Sequence, residues 1–471
     1  MKDLGFTIAS AREAFAKGEL TPERLFEHYQ RRIAENNNEL NAYRPGAFVY
    51  TPPARDTSVL TGIPYALKDN MLVAGTIATG GSRILENYVS AYDGTVFKKL
   101  NAAGAQLLGK TNMDEFAMGS SGENSAFGIV RNPWDTTRVP GGSSAGSAAA
   151  VAGDLCVFSL GSDTGGSIRQ PAALCGVVGI KPTYGRVSRH GLMSLASSLD
   201  QIGTFTKTVR DGALVLAEIA GHDPLDLTTV PRDVPDYSES LERDITGLRI
   251  GIPEEYFGEG LEPEVRRCVE DAIENLKKRG AVIVPISLPH SKYALAVYYI
   301  VQPSECAANL SRYDGIRYGY QSPNATSLLE VYTKSRTEGL GAEPTRRIML
   351  GTYALSAGYF DAYYMKAQKV RALIKQDFDR AFEKVDVIAG PTSPSVAFKL
   401  GEKSSDPLSM YLSDIYTVPV NLAGVPALSV PCGLGGQSKM PVGLQLIGNA
   451  FQEATILTVA WHVEQSSTSH E

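Results

Sequence analysis

GGSSAGSAAA at residues 141–150, LCVFSL at 155–160 and GSDTGGSIRQ at 161–170 decide how this chain folds. Ser143 leads into an alanine-rich run, which predicts a helix starting just after that serine. About ten helical residues travel roughly 15 Å. LCVFSL can return as a strand close to 20 Å long, at about 3.3 Å per residue, so the loop GSDTGGS lands near the point where the helix began. The 24 positions from Ser143 to Ser167 are then a helix out and a strand back, and the two serines can meet. Glycines on both loops let the backbones approach closely. Taken alone, such Gly and Ser clusters also mark turns and close packing, so a purely structural role stays open beside a chemical one.

Outward from this stretch, the short apolar runs PYAL, AQLLG and LCVFSLG alternate with helix-like segments such as TVFKKLNAAG, a pattern of strands and helices packed in layers. LRIGIP, VRRCVEDAIENLKKRG and AVIVPI (248–286) form a strand, helix, strand unit suited to a parallel pair. Later strands are predicted in VDVIAGP, ALSVPCG and VGLQLIG. Thr21 and Pro22 read as the N-cap and first residue of a helix through FEHYQRRIAENN. HDPLDLTTVPRDVPDYS (222–238) reads as a loop, and no internal repeat is evident. The expected organisation is one domain over 1–471, with a helical segment at 1–60, a core at 61–210, a Tyr-rich helical section at about 290–385 and a frayed tail at 465–471.

At 471 residues and 43% hydrophobic, the chain can bury a large core. Its 45 basic and 51 acidic residues form no long run of one sign, which argues against a nucleic-acid arm or a polybasic membrane patch. MKDLGFTIASAREAF has no apolar segment of signal-peptide type and no stretch approaches a membrane span, so a cytoplasmic protein without membrane contact is expected. Cys156, Cys175, Cys268, Cys306 and Cys432 are scattered without metal spacing, and read as reduced, mostly core residues with no metal site.

GAQLLGKT (104–111) matches the phosphate-loop pattern letter for letter. Its middle residues, Ala105 to Leu108, read as a buried strand after a helix, whereas that motif needs strand, loop and then helix, so the match is rejected and Lys110 is assigned a local structural role. None of the six histidines sits where it advertises a base for a serine. A lysine can serve if burial keeps it neutral, and Lys68 closes the apolar strand IPYAL, although a solvated strand-end lysine is the plain alternative.

GIPYALKDN, LGKTNMDEFAMGSS, PGGSSAGSAAAVA, GSDTGGSIRQPAALCGVVGIKPTYGRVSRHGL and SSLDQIG, in this order, resemble the amidase signature family over nearly the whole chain. SRYDGIRYGYQ (311–321), TRRIMLGTYALSAGYFDAYY (345–364) and MYLSDIYTVPVNLAGVPALSVPCG (410–433) resemble, more narrowly, the A subunits of bacterial tRNA-dependent amidotransferases. The resemblance implies an α/β amidase signature fold, a large mixed β-sheet with helices on both faces. It also implies a serine, a second serine after a cis peptide bond, and a lysine, which fall on Ser167, Ser143 and Lys68. Ser167 would attack a carboxamide carbon, and Ser143 would relay its proton to Lys68. Backbone N–H groups of Thr164, Gly165, Gly166 and Ser167 would hold the oxyanion. By the same resemblance Arg347 would bind the substrate carboxylate, Asp414 its ammonium, and Tyr298 would add a contact.

The implied activity is glutamine hydrolysis, with ammonia passed to a partner that amidates glutamyl-tRNA(Gln), aspartyl-tRNA(Asn) or both. Subunits B and C would complete a heterotrimer. No cofactor is expected in this chain, while ATP and magnesium would belong to the partner, which would also make most of the tRNA contact. Two departures are visible: Ala145 stands where many members have Gly, and Gly122 where A subunits commonly have Thr. The rival readings are a freestanding amidase on aryl or alkyl amides and a non-catalytic member of an assembly.

Overall fold

A computed structural model describes residues 5–46, 48–53 and 58–467. The chain opens with α1 (Ile8–Ala16) and α2 (Pro22–Leu40). Thr21 caps α2 by accepting the Arg24 N–H at 3.3 Å, and Pro22 takes the first helical position, where its missing N–H would have had no partner. Then come β1 (Pro64–Lys68), α3 (Thr95–Ala102), β2 (Gln106–Thr111), α4 (Ala145–Ala152), β3 (Phe158–Asp163), α5 (Arg169–Cys175), β4 (Val178–Lys181), β5 (Gln201–Thr206) and α6 (Val209–Ile219). Beyond the irregular stretch at 222–236 lie β6 (Arg249–Pro253), α7 (Pro263–Lys278) and β7 (Val282–Ile286). Four helices follow: α8 (Ala294–Asn309), α9 (Leu328–Gly339), α10 (Ala342–Ala354) and α11 (Lys366–Phe382). The remainder is β8 (Val387–Pro391), α12 (Pro407–Tyr411), α13 (Val418–Ala423), β9 (Ala427–Leu434), β10 (Pro441–Gly448) and α14 (Glu453–Ser467).

The strands form one ten-stranded sheet in the order β2-β1-β3-β5-β4-β9-β10-β8-β6-β7. It is mixed. The β2-β1-β3 and β8-β6-β7 neighbours run parallel, and the pairs between β3 and β8 run antiparallel. Every residue of β1, β3, β4, β5, β8 and β10 is buried, so helices and loops cover both faces of the sheet's centre.

The helix-out, strand-back unit is present with shifted limits. α4 has eight residues rather than about ten, all buried. β3 starts at Phe158 and absorbs Gly161, Ser162 and Asp163, which the sequence assigned to the loop. The cause is close packing: a Cβ at Gly161 would lie 2.6 Å from the Phe205 ring and 2.8 Å from Ser144 Oγ, so only the bare backbone fits between α4 and β5. The phosphate-loop match is settled by β2, where Lys110 Nζ donates to Asp69 Oδ1 at 3.2 Å and to the Met71 carbonyl at 2.7 Å. α14 continues through Ser467, into the tail expected to fray, and residues 468–471 of that tail lie outside the described residues. Among the described residues no helix is long and apolar enough to cross a membrane.

Candidate active site

β1 and β3 are parallel neighbours with Leu67 opposite Leu160, so the end of one strand and the end of the other emerge together. Lys68 and Ser162 are thereby side by side. The fully buried Lys68 Nζ donates to Ser143 Oγ at 2.8 Å, Ser144 Oγ at 2.8 Å and Ser162 Oγ at 2.9 Å. It is no solvated strand-end lysine. Burial pushes its amine down to about 7, against the upward pull of Asp114, Asp163 and Asp200. An amine that titrates there can hold or release a proton at neutral pH.

Ser143 follows a cis Gly142–Ser143 peptide bond. The two serine loops meet through the backbone, with the Ser144 N–H donating to the Ser167 carbonyl at 3.3 Å. Ser167 is 9% exposed, and among the described residues its hydroxyl makes no hydrogen bond, so the Lys68–Ser143 half of the expected relay is joined while the Ser143–Ser167 half is not.

A buried ion pair shapes the loop that carries Ser167. Asp163 accepts the Gly166 N–H at 2.9 Å and the Ile168 N–H at 3.1 Å, and Arg169 donates to it from Nε at 3.1 Å and Nη2 at 3.0 Å. Burial raises the Asp163 carboxyl, but Arg169, Lys181 and Asn421 together hold it down at about 2. One expected oxyanion donor is lost here: the Gly166 N–H already belongs to Asp163. Among the described residues the N–H groups of Thr164, Gly165 and Ser167 make no hydrogen bond, so the rest of the expected oxyanion set is unengaged. Gly166 has a φ of +142°, and a Cβ there would lie 2.2 Å from Thr417 Oγ1.

Asp114 underlies the other loop. It accepts the Gly122 N–H at 3.1 Å and the Asn124 N–H at 2.9 Å, its own N–H donates to the Ser143 carbonyl at 3.2 Å, and burial raises its carboxyl to about 7. The two departures from the family pattern touch each other. A Cβ at Gly122 would lie 2.6 Å from the Cβ of Ala145, so the methyl at 145 occupies the space a side chain at 122 would need.

Tyr298, Arg347 and Asp414 gather across from this loop. Tyr298 lies against Gly165, where a Cβ would be 2.8 Å from its ring. Arg347 is 3% exposed, and Asp414, 8% exposed, is hydrogen-bonded by the Ser120 hydroxyl through Oδ2. Burial raises the Asp414 carboxyl to about 7, and its Oδ1 has no hydrogen-bond partner. The Arg347 fork is partly engaged: Nε donates to Glu343 at 2.8 Å and Nη1 to Gln302 at 2.8 Å, while Nη2 makes no hydrogen bond among the described residues. Its guanidinium lies 5.0 Å from the Tyr299 ring centre and 5.4 Å from that of Tyr411.

Sequence reasoning missed Ser144, Ser162, Asp114, Gln302 and Glu343. Ser144 adjoins Ser143, and Ser162 lies within the quoted GSDTGGS stretch, where a serine at the end of an apolar run was the available signal. Nothing local marks Gln302, on α8, as a neighbour of Arg347, on α10, because the crossing of two helices brings them together.

The family model for amidases matches residues 24–457. The chain is 59% identical to the A subunit of glutamyl-tRNA(Gln) amidotransferase of Acaryochloris marina over 416 residues, 88% of this chain and 86% of that one. It is 54% identical to the corresponding A subunit of Koribacter versatilis across 98% of each chain. The crystal structure of the glutamyl-tRNA(Gln) amidotransferase A subunit from Thermotoga maritima superposes with a TM-score of 0.85 at 43% identity, covering all of this chain and 97% of the other. A peptide amidase from Stenotrophomonas maltophilia shares the fold at 30% identity and a TM-score of 0.82, covering 98% of this chain and 97% of that one. By motif order, sheet topology and these likenesses together, the chain belongs to the amidase family and, within it, to the glutamyl-tRNA(Gln) amidotransferase A subunits.

Proposed function

We propose that the chain is the glutaminase component of a tRNA-dependent amidotransferase, releasing ammonia from glutamine for a partner that converts glutamyl-tRNA(Gln), aspartyl-tRNA(Asn) or both to the amidated forms. One observation supports this above the others. The buried amine of Lys68 bonded to Ser143 lies across the Ser167 loop from a cation and an anion with unused hydrogen-bonding atoms, Arg347 Nη2 and Asp414 Oδ1. A carboxamide alone needs no such poles. Free glutamine has a carboxylate and an ammonium to place on them.

Ser167 attacks the side-chain carbonyl carbon of glutamine. Its proton passes to Ser143 as the Ser143 proton passes to neutral Lys68, and the tetrahedral oxyanion takes the N–H groups of Thr164, Gly165 and Ser167, each worth about 3 kcal/mol in comparable sites. Collapse of the intermediate breaks the C–N bond, and the proton held by Lys68 returns through Ser143 to the nitrogen, which leaves as ammonia. Water then hydrolyses the acyl-enzyme to glutamate. Ser167 has to turn toward Ser143 for the first step, as catalytic hydrogen bonds often tighten only around substrate. Tyr298 backs the loop at Gly165 and walls the substrate's side.

Ammonia in bulk water is protonated and no longer a nucleophile, so it goes directly to the partner. Subunits B and C complete the assembly, with ATP, magnesium and most of the tRNA contact at the partner, in the cytoplasm.

The test uses the complex as it co-purifies from its host. Ser167→Ala abolishes amidation driven by glutamine and leaves amidation driven by ammonium salt. Undiminished glutamine-driven amidation would make the chain a non-catalytic member of the assembly, and faster hydrolysis of simple amides than of glutamine would make it a freestanding amidase.

A further inference from the structure

Gln302 is wholly buried, yet its Nε2 has no hydrogen-bond partner. A buried side-chain amide with both donors unused costs about 1–3 kcal/mol, so its orientation calls for a reason. The acceptor end is occupied, since Oε1 takes the Arg347 Nη1–H at 2.8 Å. That bond fixes the amide plane beside the guanidinium and turns the NH2 group away from it. Tyr298 stands one turn earlier on α8, at i−4, hence on the same helix face, and Tyr298 is the residue packed against Gly165 in the Ser167 loop. Gln302 therefore sits beside Arg347, on the same helix face as the Tyr298 that packs on the catalytic loop.

The charge balance explains what an extra donor would do there. Glu343 accepts from Arg347 Nε at 2.8 Å, and a second acid–base contact ties Glu343 to Arg346. Tyr411 also donates to Glu343, at 3.0 Å. Glu343 thus offsets part of the positive charge of Arg347 before any substrate arrives, and it occupies one edge of the planar fork that would otherwise meet a carboxylate in two parallel bonds. Only Nη2 and the second hydrogen of Nη1 remain. A substrate carboxylate held by that remnant has a lone pair to spare, and the Gln302 NH2 group is the unused donor beside it.

We propose that Gln302 is a specificity residue of the amino-acid site, its Nε2 donating to the substrate α-carboxylate while its Oε1 holds the Arg347 fork in register. This rests on the glutaminase reading above.

The experiment measures ammonia release by the co-purified complex from glutamine and from 4-aminobutanamide, which keeps the amine and the carboxamide and lacks only the carboxylate. Gln302→Glu keeps an acceptor for Arg347 but replaces the donor with a negative charge, whereas Gln302→Met and Gln302→Ala remove donor and acceptor without adding charge. For glutamine, each variant raises KM about tenfold or more with kcat within about twofold, the pattern of an interaction made equally in ground and transition states. For 4-aminobutanamide, KM moves less than about twofold. A glutamine KM unchanged in every variant, or raised equally for both substrates, overturns the assignment. A wild-type complex that releases no ammonia from glutamine overturns the glutaminase reading itself, which distinguishes the two failures. Should Gln302→Ala fail to fold, Gln302→Met decides, because it is close to Gln in length, carries no charge and offers no N–H donor.

Discussion

At the scale of single residues, two buried groups set the pH behaviour, in compatible directions. Lys68 acts as a base only when neutral, and burial places its amine near 7, so its active form grows as pH rises through that value. Asp414 binds an ammonium only when ionised, and burial places its carboxyl near 7 as well, so its binding form grows in the same direction. Below pH 7 kcat therefore falls, about tenfold per pH unit in the limit, while KM for glutamine rises. A pH profile separating kcat from KM checks both. Lys68→Met, near in length and without a titrating group, removes the kcat limb along with roughly 10²- to 10⁴-fold of the rate. Asp414→Asn leaves the kcat limb in place and raises KM for glutamine about tenfold or more. If Asp414→Asn lowers kcat and leaves KM alone, the carboxylate is not the ammonium's partner.

Elements place these groups through close backbone approach, and that is where substitution is least forgiving. Gly122, at a φ of +80°, faces Ala145 at the start of α4. Gly122→Ala forces a contact of 2.6 Å and loses stability by about 1–3 kcal/mol. Ala145→Gly in the same chain removes the clashing methyl and recovers part of the loss, the remainder being the strain of the positive φ. Urea unfolding of the two single variants and the double gives the coupling, and strict additivity would show that the two positions do not compete for space. Elements were also what the sequence revealed best. The strand-end place of Lys68 and the meeting of the two serine loops follow from an apolar run that ends in a charge and from a helix and strand of matched length. The run alone left a solvated lysine open, and only the resemblance chose Lys68 as a base. The limits of β3 did not follow, because GSD reads as loop until Phe205 and Ser144 are known to press on Gly161. The loss of Gly166 as an oxyanion donor was hidden for a similar reason: its N–H is captured by Asp163, whose orientation depends on Arg169 and Asn421, the latter more than 250 positions away. Resemblance supplied Arg347 and Asp414. Nothing in periodicity or composition distinguishes either from a surface charge.

Across the whole molecule, the groups proposed to cut the bond and those proposed to choose the amide come from different stretches of chain. Lys68, Ser143 and Ser167 hang on the parallel edge of the sheet and its adjoining helices, whereas Tyr298, Gln302 and Arg347 hang on two crossing helices, and Asp414 just precedes α13. The two groups adjoin where the Tyr298 ring rests on Gly165, a residue with no side chain to intrude. Such a seam lets heredity revise appetite without retooling the blade: mutations in α8 and α10 can redirect the machine to new amides while the cutting parts stay as they are. Libraries built to change its diet belong in those two helices, and those that vary residues 141–170 should yield mostly dead clones.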